Sequence, residues 1–250
     1  MDCIIPDWIN APANVGALST TRKGGFSRAP YDDGAGGDGL NLGMHVGDDP
    51  DAVTRNRALL RATLPGEPRW LSQVHGALVL DAVDVENAPQ ADASIATQAG
   101  VVCAIQTADC LPVLFCDAQG SVVGAAHAGW RGLASGVLEN TVSRMRDAGA
   151  ADIFAWMGPA IGPRCFEVGQ DVFATFVERD EKLGAAFKSI ADRSQKYFAD
   201  IYSLARATLI NVGVEQIYGG GLCTVTDARR FYSYRRDKVT GRMASLIWLK

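Results

Sequence analysis

The sequence lacks any apolar run long enough to cross a membrane. None of its 250 residues belongs to an uninterrupted apolar stretch of about 18 residues, the length that indicates a transmembrane helix. The N-terminal segment also lacks the basic start and apolar core of a secretory signal. We therefore expect a cytoplasmic protein with no membrane partner.

No pair of cysteines is spaced as Cys-X-X-Cys, the arrangement typical of zinc ribbons and redox motifs. The six cysteines are scattered along the chain at Cys3, Cys103, Cys110, Cys116, Cys165 and Cys223. In a cytoplasmic protein such cysteines are expected to be reduced. Most are then small buried hydrophobes, and one or two are free for chemistry.

An excess of positive charge is also missing. The formal net charge is −4 and the isoelectric point is about 5.4, so a nucleic-acid partner is not expected. One basic cluster stands out near the C-terminus, formed by Arg229, Arg230, Arg235, Arg236, Lys238 and Arg242. It is either a solvated loop or an anion site for phosphate or carboxylate, because arginine binds such groups in a bidentate manner.

No repeat and no linker divides the chain, so we expect a single domain over residues 1–250. Alternating and continuous apolar runs predict strands, and apolar residues at helical spacing predict helices. The predicted strands are 16–21, 70–75, 78–83, 101–106, 111–117, 122–127, 153–158, 217–221 and 244–249, and the predicted helices are 51–64, 133–148, 170–177 and 199–212. Their irregular order favours an α+β fold with mixed β-sheets packed in layers with flanking helices.

Histidine is scarce, since only His45, His75 and His127 occur. Each follows an apolar run and lies close to a glycine, and such strand ends commonly line clefts. The two strands around residues 118–120 read as a hairpin whose register places Cys110 nearly opposite His127. An imidazole and a thiolate at that separation can share one metal ion or one proton.

Two histidines and a cysteine with one open position form a ligand set typical of catalytic zinc. Two other interpretations remain open at this point. His75 and His127 could be core histidines beside a buried thiol. Alternatively, Cys110 and His127 could be a metal-free nucleophile and base, with Asp109 orienting them.

Several polar residues are candidates for substrate contacts. Arg22 follows a strand, and Arg131 lies at the start of a helix directly after His127, where anions are favoured. The Gly/Pro loop over residues 158–169 is too apolar for an exposed linker, and we expect Glu167 or Cys165 to face a cleft. The alternative interpretation is that these residues only form turns or carry ordinary surface charge.

Seven segments together resemble the YfiH family of polyphenol oxidase and purine nucleoside phosphorylase proteins. They are TTRKGG (20–25), NLGMHVGD (41–48), QVHG (73–76), TADCLPV (107–113), AHAGWRG (126–132), GPAIG (158–162) and FYSYRR (231–236). The resemblance implies a layered α+β fold and one zinc or copper ion bound by His75, Cys110 and His127. The family often has two adjacent cysteines in the Gly/Pro loop, whereas here Arg164 precedes Cys165.

The resemblance implies conflicting activities. One is a laccase-like phenol oxidation, another is phosphorolysis of adenosine, inosine, guanosine and methylthioadenosine with deamination of adenosine, and a third is editing of peptidoglycan precursors. A four-copper oxidase needs roughly ten histidines, because imidazole is the usual copper ligand. Three histidines exclude that mechanism, although they leave a single-metal polyphenol oxidase or a Cys–His amide hydrolase as alternatives.

Nucleoside chemistry fits the residues better. Zinc can activate water for attack on adenine, the reaction class of zinc deaminases, and phosphorolysis needs an anion site. We expect purine nucleosides and phosphate as partners of a monomer or homodimer, with Cys110, His127 and Asp109 as catalytic residues. The candidate substrate contacts are Arg22, Asn41, His45, Arg131, Glu167 and Arg235, with Arg236 beside the last and with Phe166 or Tyr234 as a stacking face for the base.

Overall fold

The computed structural model describes residues 1–250. The strands are β1 (Cys3–Ile4), β2 (Val15–Thr20), β3 (Lys23–Ser27), β4 (Pro68–Arg69), β5 (Val79–Asp81), β6 (Ala93–Ala96), β7 (Val102–Thr107), β8 (Leu111–Asp117), β9 (Val123–Ala128), β10 (Ile153–Met157), β11 (Glu167–Gly169), β12 (Phe187–Ser189), β13 (Lys196–Ala199), β14 (Gln216–Gly219) and β15 (Met243–Leu249). The α-helices are α1 (Pro50–Arg61), α2 (Trp130–Ala134), α3 (Val137–Asp147), α4 (Gln170–Arg179), α5 (Ile201–Asn211) and α6 (Tyr234–Asp237), and two 3-10 helices cover Ala82–Asp84 and Glu181–Ala186.

Three sheets are formed from these strands. A five-stranded sheet has the order β1-β2-β15-β7-β4, a six-stranded sheet has the order β14-β10-β8-β9-β6-β5, and a small sheet has the order β11-β13-β12. Most neighbours are antiparallel, but β4 with β7, β5 with β6, and β10 with β14 are parallel. The predicted α+β fold with mixed, layered sheets is confirmed.

The two large sheets pack face to face, and β8 illustrates how. Side chains alternate along a strand, so Val113 and Phe115 join the core on the helix side. Leu114 and Cys116 join the core between the sheets. Because both faces are covered, β8 reads in the sequence as a continuous apolar run.

Helices cover the outer faces of both sheets. Leu60 of α1 belongs to the same core cluster as Val102 and Leu246 of the five-stranded sheet. On the other side, Val142 of α3 and Leu209 of α5 belong to the core that includes the helix-facing side chains of β8. The layers therefore run α1, five-stranded sheet, six-stranded sheet, then α3 and α5. No helix is long and apolar enough to span a bilayer.

The helix boundaries follow local signals in the sequence. The Asp49 side chain accepts a hydrogen bond from the Asp51 amide and caps α1, as is common for an aspartate just before a helix. Asp200 caps α5 through the amides of Tyr202 and Ser203. Gly213 has φ +77° and ends this helix, as expected of a glycine after the last helical turn.

Three predicted elements need correction. The single helix over 133–148 is two helices, because Gly136 adopts φ +91° between α2 and α3. The strand over 78–83 stops at Asp81, whose side chain accepts a hydrogen bond from the Val83 amide and starts a 3-10 turn. The strand predicted over 70–75 is wrong, because β4 ends at Arg69. The following segment is a loop in which the amides of Val74 and His75 donate to the carboxylate of Asp92.

Candidate metal centre

Three side chains from separate parts of the chain meet at one edge of the interface between the two large sheets. The ligand atoms of His75, Cys110 and His127 all lie within 4.8 Å of one another. Nε2 of His75 is 3.7 Å from Sγ of Cys110, and the two imidazole rings are 4.8 Å apart at 70°. In a tetrahedral zinc site, bond lengths of about 2.0–2.3 Å separate neighbouring ligand atoms by roughly 3.3–3.7 Å.

The β8–β9 hairpin supplies two of these side chains. Its register pairs Leu111 with Ala128 and Pro112 with His127. Cys110 lies two residues before Pro112, so it is a diagonal neighbour of His127 on the same face rather than directly opposite it. The sequence-derived register is therefore offset, but the predicted juxtaposition is present because residues two apart share a face.

His75 reaches the centre from a loop instead of from the predicted strand. Its φ is +62°, a left-handed conformation that few residues other than glycine adopt. The carboxylate of Asp92 fixes this loop by accepting the backbone amides of Val74 (3.2 Å), His75 (2.9 Å) and Gly76 (2.7 Å). These amides have a carboxylate partner in place of a neighbouring strand.

Asp92 also orients His127. Its Oδ1 lies 2.8 Å from Nδ1 of His127, and its carbonyl accepts the His127 amide at 2.7 Å. A histidine whose Nδ1–H is held by a carboxylate presents Nε2 to a metal, an arrangement common around ligating histidines. Asp92 is fully buried, and burial works against its charge, but its hydrogen bonds from His127 and from the loop amides lower its pKa.

Sequence reasoning missed Asp92. The signal available was a lone carboxylate in the otherwise small and apolar run Ala91-Asp92-Ala93. Charged residues are almost never fully buried unless they are paired. An aspartate in such a run, directly before β6, is therefore a candidate for a buried acceptor of hydrogen bonds.

The electrostatics favour a thiolate at Cys110. Burial opposes its ionisation, yet the positive charge and hydrogen bonds of His127 and His75 outweigh it and lower the pKa of Cys110 to about 6. Burial likewise opposes charge on His127, but Cys110 and Asp92 raise the pKa of His127 to about 9. A thiolate, not a thiol, is the form that binds metals or attacks electrophiles.

The backbone around the centre leaves room for an ion. A Cβ placed on Gly129 would lie 3.0 Å from Sγ of Cys110 and 3.0 Å from Cδ2 of His75, so a larger residue would displace two of the three ligands. Solvent exposure increases from His127, which is buried, through Cys110, which is half-buried, to His75, which is exposed. The group could therefore hold a metal ion with a coordination position open on the solvent side.

A cavity of about 630 Å³ opens onto the centre, within the usual size range of small-molecule sites. It is lined by the three candidate ligands together with His45, Leu71, Ser72, Gln73, Gln106, Thr107, Ala108, Tyr234 and Arg242. His45, one of the predicted contacts, is thus in the cavity. Burial, followed by the charges of Arg242 and Arg57, lowers the pKa of His45.

Arg242 is the arginine of the basic cluster that lines this cavity. Its guanidinium donates from Nη1 to the carbonyls of Thr240 (3.1 Å) and Gly241 (3.0 Å). It forms no salt bridge with any carboxylate. Burial lowers the pKa of Arg242, and the charges of Cys110 and Asp109 offset only part of this effect. A half-buried cation without an acidic partner is a place for an anionic ligand.

A smaller apolar annex lies against the same centre. Its volume is about 140 Å³, and it shares Ala108, Cys110 and Tyr234 with the larger cavity. The remaining lining residues are Asp109, Trp130, Ile161, Phe166, Ile201 and Arg235. Tyr234 is 55% exposed and stands where the two spaces meet. The two aromatic residues predicted as a stacking face, Phe166 and Tyr234, therefore both line the annex.

The hydrogen bonds of Asp109 go to residues other than Cys110 and His127. Its Oδ1 accepts the Thr224 hydroxyl at 2.6 Å and its Oδ2 accepts the Arg235 amide at 2.6 Å. Both oxygens therefore tie loops together, while the carboxylate that contacts His127 belongs to Asp92.

Arg22 and Asn41 are buried and form hydrogen bonds within the protein, and neither lines the cavity. Arg22 is 5% exposed, and its guanidinium donates to Asp32 and to the carbonyl of Ala228. Asn41 is fully buried. Its amide donates to Asp48 at 2.9 Å and its Oδ1 accepts the Arg242 backbone amide at 2.8 Å. Asn41 thereby supports the chain beside the cavity without lining it.

The other predicted contacts lie outside the main cavity. Arg131 is exposed and stacks on the Trp130 ring at 4.5 Å. The Glu167 carboxylate is bound by both Nη atoms of Arg193, at 2.5 and 2.8 Å. Arg235 lines only the annex.

Arg236 is likewise engaged within the protein. It donates to the carbonyls of Thr224, Val225 and Phe231 and to its neighbour Asp237. Arg22, Arg131, Arg235 and Arg236 therefore do not line the main cavity, whereas Arg242 of the basic cluster does.

Comparison with known proteins gives a consistent result. Residues 16–250 match the family described as "Multi-copper polyphenol oxidoreductase laccase". The chain is 55% identical over 249 residues to an Escherichia coli (strain K12) protein named purine nucleoside phosphorylase YfiH, covering 98% of each chain. It is 47% identical over 252 residues to a Haemophilus influenzae protein named purine nucleoside phosphorylase, covering 100% of both.

Solved structures agree with this assignment. A Neisseria meningitidis protein superposes with a TM-score of 0.92 at 48% identity, covering 100% of both chains. A Bacillus licheniformis hypothetical protein YfiH superposes with a TM-score of 0.85 at 31% identity, covering 94% of this chain and 93% of the other. The resemblance drawn from the seven sequence segments is confirmed.

The Asp92 contacts lead to a prediction about metal affinity. Asp92→Asn removes the negative charge and replaces one acceptor oxygen with an NH2 group that faces N–H donors, so hydrogen bonds that hold the His75 loop or the His127 ring are lost. We expect the affinity for zinc to fall roughly 10- to 100-fold, as for other partners of ligating histidines. Competition against a chromogenic chelator measures this change.

The matched control for this experiment is Asp117→Asn. Asp117 is also buried, and it accepts amides of Ser121 and Val122 at the far end of β8. It should affect folding stability while leaving zinc affinity unchanged. An Asp92→Asn protein that is folded and binds zinc as tightly as the unaltered chain would contradict the role given to Asp92.

Proposed function

Since the chain belongs to the family described as multi-copper polyphenol oxidoreductase laccase, and relatives along its whole length are named purine nucleoside phosphorylase, we propose that it is a metal-dependent purine nucleoside phosphorylase. The observation that carries the proposal is the convergence of His75, Cys110 and His127 within 4.8 Å on a cavity that also presents an unpaired arginine. We propose zinc as the ion and copper as the alternative, because imidazole and thiolate ligands suit both.

The side chains that could bind metal in this protein do not match the description as a multi-copper laccase. A multi-copper oxidase needs several copper sites built largely from histidine, and the chain has three histidines. One group of side chains in the structure is suited to a metal ion. A zinc-dependent deamination uses one metal ion and phosphorolysis needs no more than one, so a single site is compatible with nucleoside chemistry.

We assign Arg242 to phosphate. In phosphorolysis a phosphate oxygen attacks C1′ of the ribose, the bond from C1′ to the purine nitrogen breaks, and the purine leaves with a proton. The guanidinium of Arg242 can hold the phosphate by charge-assisted hydrogen bonds. Its fixed position beside Cys110 and His45 would set the phosphate close to the centre, which favours reaction by proximity.

Other residues of the cavity suit the nucleoside. The lowered pKa of His45 keeps its imidazole neutral near pH 7, so it can both donate and accept hydrogen bonds with ribose hydroxyls. Tyr234 and the apolar annex offer a stacking face and a dry space for a purine or a 5′-methylthio group. A bound metal ion would supply Lewis-acid polarisation of the substrate or activation of water, and the latter supports adenosine deamination as a second reaction.

A second candidate function is favoured by the surroundings of Cys110. The lowered pKa of Cys110, its proximity to His127, and the Asp92 carboxylate on the opposite ring nitrogen resemble the nucleophile, base and orienting acid of cysteine hydrolases. Such an enzyme would cleave an amide, for example in a cell-wall precursor, without metal. The presence of His75 on the other side of the sulfur favours metal binding over this alternative.

Replacement of Cys110 distinguishes the two functions. Cys110→Ala should lose bound zinc and phosphorolysis together, because the ion loses its only sulfur ligand. The assay incubates the zinc-loaded protein with adenosine and phosphate and follows adenine, ribose 1-phosphate, inosine and hypoxanthine. Inosine formed without phosphate would report deamination.

Cys116→Ala is the control for this replacement. Cys116 lies in β8, six residues after Cys110, in the core between the two large sheets. Burial there raises its pKa to about 12. This variant should keep both metal and activity. Full phosphorolysis by Cys110→Ala would reject the site, whereas a metal-free protein that hydrolyses amides and is inactivated by iodoacetamide would support the hydrolase.

Arg242 gives a separate prediction for phosphate binding. Arg242→Met preserves much of the side-chain length but removes the charge, and a hydrogen bond to a charged group contributes about 1.5–3 kcal/mol. We expect the KM for phosphate to rise roughly 10- to 100-fold, with a smaller change in the KM for the nucleoside. Steady-state kinetics at varied phosphate measure both.

Arg131→Met is the matched comparison, since Arg131 is exposed and stacked on Trp130 outside the cavity. Its KM for phosphate should remain unchanged. If Arg131→Met weakens phosphate binding and Arg242→Met does not, the phosphate site lies at the start of α2 as sequence reasoning predicted.

A further inference from the structure

Two cysteines that play no part in the metal centre face a second cavity. Cys165 and Cys223 both line a space of about 290 Å³, together with Gly162, Pro163, Arg164, Tyr202, Gly220, Gly221, Leu222 and Thr226. None of these residues lines the metal cavity. Both thiols are half-buried and unbonded to another cysteine, so they are accessible to a small reagent in solution.

The backbone brings the two sulfurs to the same place. The Gly162 amide donates to Sγ of Cys223 at 3.3 Å, and a turn closed by the Cys165 amide on the Gly162 carbonyl at 2.9 Å returns Cys165 to that position. The strand-like bridge between Ala160 and Cys223 fixes the two segments side by side. A Cβ on Gly162 would lie 3.0 Å from Sγ of Cys223, so glycine is required for this close approach.

The surroundings make the two thiols unequal. Burial opposes ionisation of Cys223, but hydrogen bonds from the Thr226 hydroxyl and from the amides of Thr226, Gly162 and Val225 outweigh it and lower its pKa. Burial, together with the neighbouring Cys223, raises the pKa of Cys165. A more acidic thiol next to a less acidic one matches the attacking and resolving roles of a redox pair.

We propose that Cys165 and Cys223 form a reversible dithiol–disulfide pair that reacts with low-molecular-weight disulfides. This site is independent of the proposed nucleoside chemistry. The shared cavity, the Gly162 contact and the turn at Cys165 together place two accessible thiols close to each other.

The reaction proceeds in two exchange steps. The thiolate of Cys223 attacks one sulfur of glutathione disulfide, whose S–S bond breaks and releases one glutathione thiolate. Cys165 then loses its proton and attacks the Cys223 sulfur of the mixed disulfide, which expels the second glutathione thiolate. Two protein thiols are oxidised to one disulfide, one glutathione disulfide is reduced, and the thiol protons pass to the released thiolates.

The consequence is a cross-link between two loops that flank the annex. The Arg235 guanidinium donates to the carbonyls of Cys165 (3.5 Å) and Glu167 (3.1 Å). Thr224, next to Cys223, donates to Asp109. A bond between the cysteines would therefore join the two segments that hold the outer wall of the annex, without touching the three candidate metal ligands.

The test equilibrates the zinc-loaded full-length protein in buffers of graded glutathione to glutathione disulfide ratio. Free thiols are then blocked with N-ethylmaleimide, and tryptic peptides are identified by mass spectrometry. We expect one peptide pair joined through Cys165 and Cys223, a chain lighter by two hydrogens, and complete reversal by dithiothreitol.

Single substitutions separate the two roles. Cys165→Ser should accumulate a glutathione adduct on Cys223, because the resolving thiol is gone, whereas Cys223→Ser should accumulate little adduct on Cys165. Cys3→Ser is the control, since Cys3 is half-buried but its pKa is raised to about 11 by burial and Asp2, and it should leave the cross-link intact. Failure of the unaltered chain to link these two cysteines, or linkage of a different pair, would overturn the proposal.

Discussion

The arrangement of the metal centre depends on one buried carboxylate. Asp92 accepts three amides of the loop that carries His75 and holds Nδ1 of His127. These partners are separated from it by 16 to 35 positions in the chain, and the carboxylate adds a side-chain link between the His75 loop and the His127 ring to the backbone pairing of β6 with β9. Because an unpaired buried charge is costly, the loop and the ring are both held to it, and the left-handed backbone of His75 is retained.

Much of the fold could be predicted from the sequence because the signals were local. Continuous apolar runs identified β7, β8 and β9, and apolar residues at helical spacing identified α1, α4 and α5. The β8–β9 hairpin also brought Cys110 and His127 together, since a short turn allows few registers. The misassigned segment over 70–75 failed because its amides bind Asp92, a tertiary contact with no counterpart in local periodicity.

The arginines illustrate what a sequence does not reveal. Arg22, Arg235 and Arg236 were as reasonable for phosphate as Arg242, because charge and proximity to motifs were the only criteria. In the folded chain the guanidinium groups of Arg22 and Arg236 are engaged by internal acceptors. The position of Arg242, without a salt bridge and beside the cavity, follows from how Asn41 holds the chain before β15. Which donors remain free depends on packing, which the sequence does not specify directly.

The central claim is that two imidazoles and one thiolate bind a single ion, and X-ray absorption spectroscopy of the zinc-loaded protein tests it most directly. If His75, Cys110 and His127 are the ligands, the first shell will contain one sulfur at about 2.3 Å and two imidazole nitrogens at about 2.0–2.1 Å, with one further light atom. A first shell without sulfur, or a protein that retains no stoichiometric zinc at neutral pH, would contradict the claim.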